Sequence, residues 1–419
     1  MAPKNSRYYK KNYTSMFPFA ESAEKDRVYL DYSAMTPIDE EVLMHMLPYF
    51  DPRYGNPSSI HENGRRSRAA IEEARLIVAG LVGARASEII FTGSGTEADN
   101  LALIGTARAN RSRGNHLIIS AIEHKAVIEA AHVLLAEGFE VTVLPVDEHG
   151  MIRVAECLRH ITSKTILISV MYVNNEIGTV LPVRELAQAL QKVRRDEFPL
   201  LHTDACQAGN LFSLSAYRLG ADLMTVNSSK LYGPTGAGFL YKREGVKLSP
   251  LIVGGEQEKQ QRAGTESVPL IVGLSRALGK AQAMREEEHA RLLSLSSYFA
   301  SELERRIPRS RRNGDPEART PAIVHVSIPF VEGESMLLKL DAAGVSVSTG
   351  SACSAFDLRP SHVLIAIGQD ADIMHGSIRF SLGRRTTKEE LDYVLAIFPR
   401  IVEELLSLSA LQPRATHHP

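Results

Sequence analysis

The chain has 419 residues, 44% of them hydrophobic and 23% charged, the composition of a globular protein too long for one simple core, so two domains are expected. A formal net charge of −1 supplies no field for nucleic acid or an anionic membrane surface, and no apolar run reaches the roughly 20 residues that a spanning helix needs. Three cysteines, Cys157, Cys206 and Cys353, are too few for a disulfide framework and fit a reducing, cytoplasmic setting.

Residues 1–27 are polar and carry Lys4, Arg7, Lys10 and Lys11 without the apolar stretch of a secretory signal, so they read as an N-terminal extension. Val28 to Tyr32 reads as a short strand, and a helix is expected from about Asp39 with Thr36 or Asp39 as its cap. Tyr54 to His61 is a loop by composition. Ala69 to Val82 has apolar residues at helical spacing and stops at Gly83. Glu88 to Thr92 is a strand that runs through Gly93-Ser94-Gly95-Thr96 into a helix reaching Arg108. Glycines between a strand and a helix, with a hydroxyl at the helix start, make an anion site, and no Gly-Lys-Ser/Thr follows to make it a Walker motif.

His116 to Ala121 is the next strand, followed by Glu123-His124-Lys125 and a helix to Gly138. Val141 to Val146 and Thr165 to Val173 are strands, the second ending in Asn174-Asn175-Glu176, where the two amides suit either turn formation or ligand contact. Val183 to Arg195 is a helix. Leu201 to Asp204 and Asp222 to Asn227 read as buried parallel strands, the first delivering Asp204 and Gln207 and the second Lys230, 230 − 204 = 26 residues after the aspartate. Phe239 to Tyr241 begins another strand, Pro269 to Ile307 is one long helix, and Ile323–Pro329, Val345–Val347 and Ser377–Ser381 are strands of a second unit. That unit also has helices over Glu334–Ala343 and Lys388–Leu406.

Alternating strands and helices from about 80 to 245 give a mostly parallel sheet with helices on both faces, and ligands of such sheets bind beyond the carboxyl ends of the strands. Gly95, Thr96, His124, Asn175, Asp204, Gln207 and Lys230 all fall at such ends. A lysine and a carboxylate there suit pyridoxal phosphate, which needs an amine for its Schiff base and an anion that keeps its ring nitrogen protonated. Taken alone, the pair also suits a surface lysine and a helix cap; the tight Leu231-Tyr232-Gly233-Pro234-Thr235-Gly236 turn behind Lys230 favours a constrained site.

From Val28 to about Leu408 the chain resembles the cysteine desulfurases among the class V aminotransferase-like, fold-type I pyridoxal-phosphate enzymes. The resemblance rests on Gly55-Asn56-Pro57-Ser58-Ser59-Ile60-His61, Gln261-Arg262-Ala263-Gly264-Thr265, Ser377-Ile378-Arg379-Phe380-Ser381 and, most specifically, Gly350-Ser351-Ala352-Cys353-Ser354. It implies an α/β fold: a large cofactor domain over 28–285 with a mostly parallel seven-stranded sheet, its first residues packing with the small domain, and a smaller α+β domain over 286–419.

The resemblance also implies roles. Gly95, Thr96, Asn227 and Ser229 hold the cofactor phosphate, with Thr265 reaching the phosphate of the neighbouring subunit in a homodimer. His124 stacks on the ring and moves protons, Asp204 pairs with the ring nitrogen, Gln207 meets the phenolic oxygen, and Lys230 carries the cofactor and takes the α-proton. Asn56, Asn175 and Arg379 receive L-cysteine, Asn175 contacting the cofactor ring or the substrate and Arg379 making a bidentate clamp on the carboxylate. Cys353 attacks the substrate sulfur, alanine leaves, and the persulfide passes to an iron–sulfur scaffold or a tRNA-thiolation protein. No resident metal is implied, beyond transient iron contact of Cys353 during cluster assembly, and no direct contact with nucleic acid or membrane.

One departure stands out: the family's Ser-x-His-Lys is Asn227-Ser228-Ser229-Lys230 here, which still offers an amide and a hydroxyl to a phosphate. The alternatives are a selenocysteine lyase or another class V aminotransferase-like enzyme, which would tolerate loss of Cys353, and a cofactor-free interaction subunit.

Overall fold

The structure, a computed structural model, describes residues 27–349 and 360–409, so Cys353 and the N-terminal 26 residues lie outside the described residues. Its strands are β1 (Val28–Tyr29), β2 (Ile89–Thr92), β3 (His116–Ser120), β4 (Glu140–Leu144), β5 (Thr165–Ser169) and β6 (Leu200–Asp204). They continue with β7 (Leu223–Asn227), β8 (Gly238–Lys242), β9 (Arg311–Arg312), β10 (Ile323–Ser327), β11 (Val345–Ser346) and β12 (Ser377–Ser381).

Seven of these form one sheet in the order β2-β8-β7-β6-β5-β3-β4. All its pairings are parallel except those of β8, which runs antiparallel to both β7 and β2. The inner strands β3, β5 and β6 are buried along their whole length, as β-branched and leucine-rich runs covered on both faces must be, whereas the edge strand β4 keeps partial exposure. Side chains alternate between two cores. On β3, Ile118 joins a core with Val78, Ile168, Leu201 and Phe239, while Leu117 and Ile119 join the opposite one with Leu103, Leu134 and Leu240.

A third core lies around β10 and β12 and the helix Lys388–Leu408, centred on Phe380, which meets Phe299 and Phe398 edge-on at centroid separations of 5.1 and 5.4 Å. Val28 and Leu30 join this third core, because β1 pairs in parallel with β11. The 39-residue helix Val268–Arg306 spans both regions: Ile271, Leu274 and Leu278 enter the first core, and Leu292, Phe299 and Leu303 the third. No helix among the described residues is long and apolar enough to cross a membrane.

Local signals explain the ends. Asp39 caps Glu40–Met46 through the Glu41 N–H, and Gly83 ends Glu62–Val82 with φ 66°, a left-handed conformation that glycine adopts without strain. The single helix expected through Arg108 is interrupted: π-helical Leu101–Gly105 separates Gly95–Asn100 from Thr106–Ala109.

A buried ion pair ties the helix Glu62–Val82 to the sheet. Arg75 donates to both Glu258 carboxylate oxygens at 2.8 and 2.6 Å and to the Ile89 carbonyl at 2.8 Å, and Glu258 also accepts the Phe91 N–H at 3.0 Å. Removing one partner strands a buried charge, so Arg75→Met is expected to cost about 3–5 kcal/mol of folding stability. Urea unfolding checks this; a loss below about 1 kcal/mol would mean that the pair is solvated and worth no more than a surface bridge.

Candidate active site

The carboxyl ends of the parallel strands open onto one cavity of about 660 Å³. Gly95, Thr96, His124, Asn175, Asp204, Gln207, Asn227 and Lys230 line it from the large sheet, and Arg379 from β12 closes it.

Asp204 ends β6 with 6% of its surface exposed and accepts the Cys206 N–H at 2.9 Å. Beneath it, His202 is fully buried, its Nδ1 within 2.9 Å of Ser169 Oγ and its Nε2 within 3.1 Å of Thr225 Oγ1. Burial pushes this ring down to about 4, so it is neutral at physiological pH. Asp99, 1% exposed, also faces the cavity; burial, then the Asp204 charge, pushes its carboxyl well above the usual range. One side-chain polar atom of each of Asp99, His124 and Asp204 lies within 4.8 Å of the others. Asp204 thus faces the cavity beside a neutral His202 and an Asp99 driven toward its neutral acid, placed to pair with a cation there.

Lys230 ends the single turn Ser228–Lys230 after β7 and donates from Nζ to the Ala34 carbonyl. Its own carbonyl accepts the Asn210 amide at 2.5 Å. His124 caps the helix Lys125–Ala136, its Nδ1 accepting the Ala126 N–H at 3.1 Å, so a neutral ring carries its proton on Nε2. Gln207 donates its amide to the Ser33 carbonyl at 2.9 Å.

Gly95 and Thr96 are the first residues of their helix, where backbone N–H groups have no intrahelical partner. A Cβ on Gly95 would come within 2.8 Å of Cys206 Sγ and 3.2 Å of Asn227 Cβ, so only glycine fits there. These residues fit pyridoxal phosphate: a helix start for the phosphate, an acid for the ring nitrogen and a lysine between them.

Asn174 and Asn175 divide the two roles left open by the sequence. Asn174 is the turn former, buried, its oxygen accepting the Glu176 and Ile177 N–H groups at 2.9 Å. Asn175 faces the cavity, and its carbonyl accepts from Arg379 at 2.6 Å. A second Arg379 nitrogen donates to Asp31 at 2.9 Å.

The cavity does not take in every expected residue. Ser229 is 5% exposed and does not line it; Asn227 and Lys230 of that motif do, with the Asn227 oxygen accepting the Ser229 N–H at 3.4 Å. Asn56 is exposed, bonded to the Ser58 N–H, and lies outside the cavity of its own chain, as does exposed Thr265. Cys206 also lines the cavity. Cys353 lies outside the described residues, but both flanks of its segment touch the site. Ser348 exchanges backbone hydrogen bonds with Arg379, and Ser361 donates to Glu176 at 2.5 Å.

Sequence reasoning missed the buried acids. Glu123 accepts Ser120 Oγ and the Met171 N–H, and burial pushes it up to about 8. Glu176 is pushed up by burial from 4.5 to about 7. The folded protein therefore keeps the Glu176 proton in a window where the unfolded chain has lost it. The contribution is complete below 4.5 and is lost as pH rises through about 7, a difference of roughly 3 kcal/mol. Glu176→Gln keeps an acceptor for Ser361 and cannot ionise. Its melting temperature relative to the parent is expected to rise between about pH 5 and about pH 8; a pH-independent difference would contradict this.

The chain belongs to the class-V aminotransferase family, whose model matches residues 28–394. The family's cofactor is pyridoxal 5′-phosphate, and this chain uses it. Within the family its likeness is to cysteine desulfurases. It is 47% identical over 385 residues to the cysteine desulfurase IscS of Dictyoglomus turgidum, covering 92% of this chain and 97% of that protein. It is 46% identical to the cysteine desulfurase IscS of Methanosarcina thermophila, covering 94% and 96%. Among solved structures, a NifS-like protein superposes with a TM-score of 0.85 at 35% identity, covering 90% of this chain and all of that one.

Proposed function

We propose how the residues of this cavity share the work of cysteine desulfuration. The chain is a pyridoxal-phosphate-dependent cysteine desulfurase that takes sulfur from L-cysteine and transfers it to an acceptor. The observation that carries the residue roles is the convergence of Lys230, Asp204 and Arg379 on one cavity.

When bound, the cofactor supplies an electron sink for the α-carbon of the substrate. Lys230 would hold it through its amine and move the α-proton. Asp204 would keep the ring nitrogen protonated, and Gly95, Thr96 and Asn227 would receive the phosphate. His124 would contact the ring and move protons through Nε2, and Gln207 would meet the phenolic oxygen. Arg379 binds the substrate carboxylate. Cys353 lies four residues beyond Thr349, so its backbone reaches at most about 14 Å from that point. Its thiolate attacks the substrate sulfur, forming the S–S bond of a persulfide as the Cβ–S bond breaks; the electron pair stays with the substrate, whose Cβ takes a proton, and alanine leaves.

The enzyme acts as a cytoplasmic homodimer. Tyr54 (63% exposed), Ile60 (90%) and Val253 (78%) leave apolar surface in the segments that carry Asn56 and Thr265, and such a surface suits a subunit interface across which both residues serve the partner's site. The cofactor domain is 28–285 and the small domain 286–419, meeting within the helix Val268–Arg306. The sulfur acceptor is an iron–sulfur scaffold or a tRNA-thiolation protein. One sample tests the reading: holoenzyme given L-cysteine and a reductant should release alanine and sulfide in equal amounts while its cofactor absorbance changes. Alanine without sulfide, or a keto acid in place of alanine, would overturn it.

A further inference from the structure

Arg379 is 2% exposed and cannot turn to water. One of its terminal nitrogens is fixed at 2.6 Å on the Asn175 carbonyl, and among the described residues its Nε has no hydrogen-bond partner. Its counter-ion is Asp31, whose carboxylate accepts from the other terminal nitrogen at 2.9 Å. The two differ in freedom: the Arg379 side chain is 3% exposed, but that of Asp31 is 19% exposed. The backbone of Asp31 is itself held, since its carbonyl accepts the Tyr29 hydroxyl at 3.2 Å and the residue bridges to Ser381. Only its carboxylate has a way to water.

We propose that Asp31 is an internal competitor for the substrate carboxylate. It neutralises Arg379 in the resting site, gives way when an amino acid binds, and so sets how tightly α-carboxylates are held. This rests on the reading of Arg379 as the carboxylate site. The sign follows from the geometry. Arg379 stays in place through Asn175 when Asp31 loses its charge, so the guanidinium loses its bonded carboxylate and, with Glu176 the remaining acid that feels its charge, is a less compensated buried cation that binds an anion more tightly. If Asp31 served instead to orient Arg379, its loss would weaken binding.

The test uses holoenzyme and two probes that differ only in the carboxylate, L-alanine and ethylamine, with dissociation constants read from the cofactor absorbance. Asp31→Asn is expected to lower the L-alanine constant about five- to tenfold, a modest part of a close ion pair's energy, and to leave that for ethylamine in place. Asp31→Ser, with no orienting amide, is expected to do the same and serves if the first variant does not fold. An unchanged or raised L-alanine constant in the folded variants overturns the proposal, as does an equal shift for ethylamine. Arg379→Gln separates the two levels. If it weakens L-alanine alone while the Asp31 variants do nothing, only the competitor role fails. If it changes neither probe, the carboxylate reading of Arg379 fails as well.

Discussion

Lys230→Ala is expected to lower cysteine-dependent alanine formation by about 10⁴-fold or more, because one amine both holds the cofactor and moves the α-proton. Lys230 is set by the turn Ser228–Lys230 at the end of β7, with its carbonyl bonded to Asn210 and its amine directed at the Ala34 carbonyl. Among the described residues, the other lysine lining the cavity, Lys125, belongs to the first turn of a helix and not to a strand end. The purified variant should lose the Schiff-base absorbance that the parent shows, and its fold, measured by melting, should persist. Retained turnover would mean that another group forms the covalent link.

Cys353→Ala is expected to reduce sulfide release by about 10²-fold or more while leaving the cofactor spectrum and its perturbation by L-cysteine intact. The other two cysteines do not substitute. Cys157 is buried in the first core with its thiol pushed up to about 12, and burial together with the Asp204 charge pushes Cys206 well above the usual thiol range. A thiol so placed carries almost no thiolate at neutral pH. Full activity in Cys353→Ala without added thiol would remove the persulfide step and point toward the lyase or aminotransferase alternatives.

Much of this site was legible because strand-end chemistry is local. β6 and β7 are runs of apolar and β-branched residues that end in polar ones, so Asp204 and Lys230 announced both their strands and the edge on which they meet. The glycines before Thr96 and the proline–glycine turn after Lys230 carried backbone requirements visible in one dimension. What stayed hidden depends on partners far apart in sequence. Asp31 meets Arg379 across 348 residues and Ser361 meets Glu176 across 185, and neither spacing has a periodic signature. Asp99, in the polar helix Gly95–Asn100, and Glu123, in the loop after β3, look solvated in sequence, yet both are buried. The place of Ser229 outside the cavity lining was hidden for a related reason: the neighbours of a lysine in a tight turn point different ways, and spacing alone does not say which side chain faces the cavity.

The most direct test is to give the holoenzyme one equivalent of L-cysteine, quench it, and map the added sulfur by peptide mass spectrometry while counting alanine. The expected result is one extra sulfur on the peptide carrying Cys353 for each alanine formed, and none on those carrying Cys157 or Cys206. Alanine formed with the sulfur lodged on either of those two cysteines, or on no protein thiol at all, would contradict the account.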